Sequence, residues 1–435
     1  MASAREAAFS LLKQMNSNAA YSNLLLENAP VLAALSRRDR ALAAALVYGV
    51  TERRLTLDYN LSQYLTKPLQ KLSPEAVIVL RLGALQLLFM EKIPPSAAIN
   101  ESVKLAKKHC AYAAGLCNAV LRKVAGNGLV LPAETAENYL SVKYSCPQWL
   151  IDGWVREYDA ETARGILENS FASEGFTVRV NPLKCDADTL LSRLSGEGVA
   201  AERGDLPNAL RLTHLPSRVD QLPSFCDGWF HVQDKASMLC ALAVGAKPGE
   251  TVFDLCAAPG GKTFTVAEEM QNTGVVKAFD LHAHRAALIS EGAGRLGLSS
   301  VEAAAGDATV FDPALGLADR VLCDVPCSGL GILRQKPEIR WKDPEELKAL
   351  PALQLSILEN GARYVKNGGR LVYSTCALSK AENEDVCAAF AASHPEMRPV
   401  PPLPEISDSP TLTLFPHIHC CDGFFIAAFQ KEEKT

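Results

Sequence analysis

The sequence predicts a multidomain protein. An all-helical N-terminal module comes first, a small α+β subdomain follows, and an α/β doubly wound, Rossmann-like nucleotide-binding domain closes the chain. Three observations carry this. Residues 1–126 place apolar side chains at helical spacing only. Phe176-Thr-Val-Arg-Val-Asn181 then switches to period two, as a strand should. From about residue 236 onward, strand and helix patterns alternate, with strands expected at 252–256, 275–280, 301–306, 320–325, 369–374 and 423–429. The expected domains are 1–130 (helical module), 131–169 (helical connector), 170–235 (α+β subdomain) and 236–435 (α/β domain).

The chain has 435 residues, 48% hydrophobic and 21% charged, an ordinary globular balance with ample material for several cores. Its start runs straight into a helical pattern and lacks the apolar segment of a signal peptide. The longest apolar stretch, Ala76 to Met90, is interrupted by Arg81 and Gln86 and is too short to cross a bilayer. Thirteen scattered cysteines, an odd number, fit reduced thiols in a cytoplasmic protein without membrane attachment.

In the helical module, Ala7 to Met15 and Leu42 to Val50 read as helices. Ser73-Pro74-Glu75 reads as a helix start: a serine cap, a proline in the first turn, and an acid near the positive end of the dipole. The helix that follows is apolar nearly all round and is expected at the centre of a bundle. Glu101 to Ala113 is amphipathic, with Lys104, Lys107 and Lys108 on one face and Arg122 and Lys123 shortly after. Residues 1–126 hold 16 Lys and Arg against 8 Asp and Glu, a balance of +8; the remainder holds 28 and 41, a balance of −13. A basic module beside an acidic one suggests that the first holds a polyanion; solvated helix faces are the alternative.

Gly126-Asn-Gly128 and Leu131-Pro-Ala end the bundle. Cys146, before a proline in the connector, reads as structural. In 170–235, Asp186 to Gly196 reads as a helix, and Ala209 to Thr213 and Gly228 to Val232 as strands. Trp229 and Phe230 are candidates for stacking on bases, although one of two neighbours on a strand should be buried.

Val252-Phe-Asp-Leu-Cys-Ala-Ala-Pro-Gly-Gly-Lys-Thr263 organises the last domain. A short strand runs into a loop of small residues, Cys256, Ala257, Ala258, Pro259, Gly260 and Gly261, and a helix starts near Lys262 and Thr263. Glycines let backbone approach a ligand, and the helix N-terminus offers free N–H groups. A P-loop is excluded, because the position that needs its first glycine is Cys256. Asp280 closes the next strand, where an acid can take ribose hydroxyls, and Asp307 ends the third, where it meets an adenine amino group or caps the next turn. The carboxylates and the missing phosphate cradle favour S-adenosylmethionine over NAD, whose glycine fingerprint is absent. Asp324 and Cys327 fall at the end of one strand, in Val321-Leu-Cys-Asp-Val-Pro-Cys-Ser-Gly329. Cys376 ends another, in Leu371-Val-Tyr-Ser-Thr-Cys376. Two thiols, an aspartate and the glycine loop should therefore face one crevice. His417-Ile-His-Cys-Cys421 offers adjacent ligands without a second matching pair, which is poor tetrahedral geometry, so no metal is expected.

Asp254-Leu-Cys-Ala-Ala-Pro-Gly-Gly-Lys-Thr263, Asp324-Val-Pro-Cys-Ser-Gly329 and Ser374-Thr-Cys376 together resemble the motifs of RNA 5-methylcytosine methyltransferases. Within that family the chain is most similar to the bacterial enzymes of small-subunit (16S) ribosomal RNA that carry a NusB-like N-terminal domain. The similarity covers nearly the whole chain; Ala98 to Arg122 resembles the RNA-binding antitermination factor NusB. The resemblance implies S-adenosylmethionine as cofactor, held by Cys256 to Lys262, Asp280, Asp307 and Asp324. It implies an RNA-recognition-like fold for 170–235. Spacing alone leaves open which cysteine attacks the base; the resemblance implies Cys376 as nucleophile, Asp324 near ring N3 and Cys327 in product release. Lys262 would hold the base or lower a thiol pKa. RNA docking falls to Lys104, Lys107, Lys108, Arg122 and Lys123. The expected partner is 16S ribosomal RNA, free or in an assembly intermediate, with the protein acting as a monomer. A non-catalytic ribosome-assembly factor and a transfer-RNA enzyme are the alternatives.

Overall fold

The computed structural model describes residues 3–18, 29–171 and 175–433. The chain divides into two compact units: Met1–Phe171 with Leu333–Lys342, and Ala172–Ile332 with Asp343–Thr435.

The first unit is helical. Helices Ala4–Asn18, Arg37–Glu52, Arg54–Ser62, Pro74–Phe89, Pro95–His109 and Ala114–Asn127 share one apolar core. Pro74–Phe89 begins as expected: the Ser73 hydroxyl accepts from the Ala76 N–H and proline occupies the first turn. Its buried residues come from every side, so it sits inside the bundle, and the one cation among them, Arg81, forks onto Asp58 at 2.7 Å twice. The amphipathic run predicted to Ala113 instead stops as a helix at His109, and a separate 3-10 turn covers Ala111–Ala113. Cys146 is buried, and burial pushes its thiol up to about 12, as a structural cysteine should behave.

Residues 333–342, within the stretch expected to belong to the α/β domain, cluster with this helical unit. Arg340 is fully buried there and donates through Nη1 to the carbonyls of Glu52, Tyr144 and Ser145; the Trp341 indole donates to Thr51 O at 2.9 Å. Just beyond, the chain forms two helices, Pro344–Leu347 and Leu350–Tyr364. Pro351 lacks an N–H and must open a new helix rather than continue the old one.

The second unit contains two sheets. Strands β1 (Phe176–Val180), β2 (Ala200–Arg203), β3 (Ala209–His214) and β4 (Phe230–Val232) form an antiparallel sheet in the order β2-β3-β1-β4, with helix Ala187–Gly196 against it. Phe230 is fully buried in this core, so it cannot stack on a base; half-buried Trp229 lies under the Arg193 guanidinium. The larger sheet contains β5 (Thr251–Asp254), β6 (Val275–Asp280), β7 (Val301–Ala305), β8 (Ala318–Asp324), β9 (Val365–Thr375), β10 (Met397–Val400), β11 (Thr411–Leu414) and β12 (Phe424–Lys431). Its order is β10-β12-β9-β8-β5-β6-β7, with β11 also on β12. Strands β5 to β9 pair in parallel, and β12 runs antiparallel to β9, as the closing hairpin strand expected at 423–429.

Alternation along these strands builds a core on each face. Val252, Leu322, Val372 and Ile426 point into one, with helices Lys235–Ala243, Gly261–Glu269 and Ala283–Leu296. Phe253, Val321, Leu371 and Phe425 point into the other, with Leu350–Tyr364 and Glu384–Ser393. The strand order reverses direction between β5 and β8, and this switch opens a crevice at the carboxyl ends of those strands. The smaller sheet is fastened to the larger through polar contacts. Fully buried Arg179 meets Glu268 at 2.7 Å, and the Gln233 amide donates to Gly261 O at 3.1 Å while accepting from the Thr265 hydroxyl at 2.8 Å.

Candidate active site

The strand ends deliver the predicted residues to one place. Asp254 closes β5, Asp280 closes β6, Asp324 closes β8, and Cys376 follows the last residue of β9. Lys262, in the first turn of helix Gly261–Glu269, places Nζ 2.7 Å from Asp324 Oδ2. The Ser374 hydroxyl donates to Asp324 Oδ1 at 2.8 Å, so both carboxylate oxygens are held. Burial alone would lower the Lys262 ammonium, but the Asp324 carboxylate, with Cys240 and Cys376 behind it, outweighs burial and holds Lys262 above its usual range. The Nζ also lies 5.0 Å over the Phe424 ring.

Cys327, three residues beyond β8, lies with its Sγ 3.2 Å from that of Cys376. The neighbouring Cys376 sulfur, and after it burial, push Cys327 well up, and either sulfur can donate in the contact between them. Both thiols are half-buried, whereas Cys240 and Cys323 are fully buried and Cys240 is pushed up to about 12 by burial.

The loop before helix Gly261–Glu269 is tightly built. Gly260 sits at φ 111°, and a Cβ there would lie 2.4 Å from the Phe264 ring, so no other residue fits. At Gly261 a Cβ would meet Gln233 and the Val232 carbonyl at 3.9 Å, an ordinary packing distance. Ala257 N–H donates to Phe279 O, and the Ala258 carbonyl accepts from Arg285. Asp254 is buried; its Oδ2 accepts from the Thr263 hydroxyl at 2.7 Å, and its Oδ1 has no partner. Burial, reinforced by Asp324, pushes the Asp254 carboxyl up to about 7. Asp280 is buried, accepting from His282 N–H and lying 3.3 Å from Arg285. Asp307 is exposed and caps its turn, its Oδ1 accepting from the N–H and hydroxyl of Thr309.

The basic face of the helical unit is less uniform than its spacing suggested. Lys104 and Lys107 line a cleft of about 740 Å³ between helices Pro95–His109 and Ala114–Asn127, together with Asn100, Gly115 and Asn118. Lys108 instead turns to Glu6 at 2.8 Å, and Lys104 carries Glu101 at 2.6 Å. Arg122 donates to Asn118 and Lys123 is exposed. Among the described residues, no cluster of three or more metal-ligating side chains forms, at His417 to Cys421 or elsewhere. No helix among them is long and apolar enough to cross a membrane.

A parallel sheet reversed at its centre, with a glycine loop and two thiols at the strand ends, defines a methyltransferase built on a nucleotide-binding fold. Residues 241–430 match the family described as 16S rRNA methyltransferase RsmB/F, residues 146–218 its ferredoxin-like domain, and residues 2–126 the NusB family. The chain is 38% identical to the probable ribosomal RNA small subunit methyltransferase B of Bacillus subtilis, covering 99% of each chain. It is 36% identical to the probable ribosomal RNA small subunit methyltransferase B of Synechocystis, covering 99% of this chain and 100% of the relative. The crystal structure of PH0851 superposes with a TM-score of 0.78 at 29% identity, over 92% of this chain and 91% of that one. The protein belongs to the RsmB/F family of 16S rRNA methyltransferases, and the match to its ferredoxin-like domain takes in strands β1 to β3 of the four-stranded sheet.

Sequence reasoning missed several residues that shape this site. Gln354, Glu382 and Asn383 hold the loops that carry the two thiols and Ser374 holds Asp324, yet each is an ordinary polar residue inside an apolar or helical pattern. Only their burial, all at 4% exposure or less, marks them, and burial of a polar group is invisible until the fold is known.

Proposed function

We propose that the protein transfers a methyl group from S-adenosylmethionine to carbon 5 of a cytosine in small-subunit ribosomal RNA, through a covalent bond between Cys376 and carbon 6. The observation that carries this reading is the 3.2 Å approach of Cys327 to Cys376, beside the Lys262–Asp324 pair. Carbon 5 of cytosine is a weak nucleophile, and addition of a thiolate at carbon 6 makes it electron-rich. Cys376 makes that bond, and the displaced electron pair moves into the ring. A hydrogen bond at N3 from the Asp324–Lys262 pair offsets the developing charge. S-adenosylmethionine, when bound, supplies an electrophilic methyl carbon. A base then takes the carbon 5 proton, the electron pair of that C–H bond re-forms the 5,6 double bond, and Cys376 leaves with the electron pair of its bond to carbon 6, Cys327 assisting this release.

The residues present fit the cofactor. Asp254 Oδ1 is a buried acceptor without a hydrogen-bond partner, suited to a cationic group. Cys256 to Lys262 would line the cofactor with Asp324, Asp280 would take the ribose hydroxyls, and Asp307 would meet the adenine amino group with the oxygen that Thr309 leaves over. In the helical unit, the cleft carrying Lys104 and Lys107 would take an RNA strand, with Lys108, Arg122 and Lys123 as flanking charge.

The test uses single variants of the thiols with unmodified small-subunit RNA and labelled cofactor. Cys376→Ala should abolish both methylation and any covalent adduct. Cys327→Ala should still attack, and so trap protein on methylated RNA on a denaturing gel. An adduct that survives loss of Cys376 but not of Cys327 would reverse the roles. RNA binding by wild-type protein with no methyl transfer at all would favour a non-catalytic assembly factor.

A further inference from the structure

Two consecutive residues, Glu382 and Asn383, connect the loops that carry the two thiols. Both are buried, Glu382 at 4% and Asn383 at 0% exposure. Glu382 Oε2 accepts the N–H of Ser328, the residue after Cys327, at 2.8 Å. The same oxygen accepts from the Gln354 amide at 2.9 Å, and that amide also donates to the carbonyl of Pro326, the residue before Cys327, at 3.0 Å. The peptide groups on both sides of Cys327 are thus fixed by one carboxylate and one amide. Asn383 does the equivalent for Cys376. Its Oδ1 accepts from the Thr375 hydroxyl at 2.6 Å, and its Nδ2 donates to Ala377 O at 3.0 Å, bracketing Cys376. The Tyr373 hydroxyl donates to the Glu382 carbonyl at 2.5 Å, which ties the pair to β9 itself.

We propose that Glu382 and Asn383 are positioning residues that set the separation of the two thiols, Glu382 through the Cys327 loop and Asn383 through the Cys376 loop. Neither touches the reacting atoms. A carboxyl group at Glu382 suits the task, because one oxygen accepts both the Ser328 N–H and the Gln354 amide in a buried site. The division of labour follows from which loop each residue holds, and it rests on the reading that Cys376 attacks and Cys327 releases.

The experiment compares full-length Glu382→Ala, Glu382→Gln, Asn383→Ala and Gln354→Ala, reading methyl turnover, covalent RNA adduct and cofactor affinity in parallel. Glu382→Ala should slow turnover by about 100-fold, the order expected for ångström-scale misplacement of a reacting group, while adduct accumulates. Glu382→Gln keeps an acceptor oxygen and should restore release. Asn383→Ala should lose turnover and adduct together. Cofactor affinity should stay at the wild-type value in all of them. Should Glu382→Ala fail to fold, Gln354→Ala frees the same loop and should give the same accumulation of adduct. Wild-type turnover in Glu382→Ala or Gln354→Ala, or equal loss of adduct in the Glu382 and Asn383 variants, would overturn the proposal. If Cys376→Ala and Cys327→Ala themselves show exchanged roles, the Glu382 and Asn383 phenotypes should exchange with them. That outcome upholds the positioning and discards the thiol assignment.

Discussion

The thiol crevice and the basic cleft use charge in opposite ways. In the crevice, Lys262 and Asp324 have side chains only 13% and 26% exposed, and every oxygen of Asp324 has a fixed partner. In the cleft, Lys104 is 71% exposed and shares its charge with Glu101. The dielectric explains the difference. A charge held away from water interacts strongly and must be met by a specific group, so its geometry is determined; a surface charge is screened and its rotamer is free. The crevice should therefore respond to single substitutions as a site, and the cleft only as a sum of charges.

The largest effect should come from breaking the buried pair. Lys262→Met removes the cation opposite Asp324 and should cut methyl transfer by about 100- to 1000-fold, the range for losing one electrostatic stabiliser of a developing charge. Single-turnover kinetics with saturating RNA would show it, and a loss under about tenfold would place Lys262 outside the chemistry. Next comes Asp280→Ala. If Asp280 takes the ribose hydroxyls as proposed, its removal should weaken cofactor binding by about 1–3 kcal/mol, read by calorimetry. Unchanged affinity would remove Asp280 from the cofactor site.

These expectations also show what could be read from the chain alone. The crevice was legible because its residues sit at strand ends inside short motifs, and a parallel sheet converts strand-end positions into proximity. For Asp254, Asp324, Cys327 and Cys376, strand order and motif spacing were enough. Glu382 and Asn383 were not legible, since nothing in a run such as Ala381-Glu-Asn-Glu384 says that its middle faces inward. The departure of 333–342 into the helical unit was equally hidden, because Arg340 and Trp341 look like surface residues until they are found bonded to backbone carbonyls. On the basic helix, spacing grouped three lysines but gave no sign of Glu6, 102 residues upstream, which takes Lys108.

That partner structure sharpens the prediction for the cleft. Lys104→Glu with Lys107→Glu should reduce RNA affinity and lower the slope of log affinity against log salt, by about 0.7 for each phosphate no longer neutralised on single-stranded RNA. Lys108→Glu should move the slope less, because Lys108 is engaged with Glu6. Cofactor affinity should not change in either. An unchanged slope in the double variant would make the cleft a merely solvated face.

The effect that most directly separates a buried charge from an exposed one concerns Asp254. Its ordinary value is 3.8, and burial raises it to about 7 in the folded protein. Between those values the folded state holds a proton that the unfolded chain has released. Its contribution to stability is therefore fully present below about pH 4 and is lost as pH rises through 7. Asp254→Asn removes the titration while keeping an oxygen that can accept from Thr263. The variant should thus gain stability over wild type on going from pH 5 to pH 8, by a few kcal/mol at most, since each tenfold change in proton affinity is worth about 1.4 kcal/mol. Thermal melts at a series of pH values would show it. A charge-removing change at exposed Lys107 should give parallel curves over the same range. The cofactor adds a second arm. If its cationic portion sits against the unpartnered Asp254 Oδ1, binding favours the ionised carboxylate, and the wild-type loss of stability toward pH 8 should shrink when cofactor is present. Parallel melting curves for wild type and Asp254→Asn from pH 5 to pH 8, with and without cofactor, would mean that Asp254 is ionised throughout and that some group other than the cofactor meets its charge.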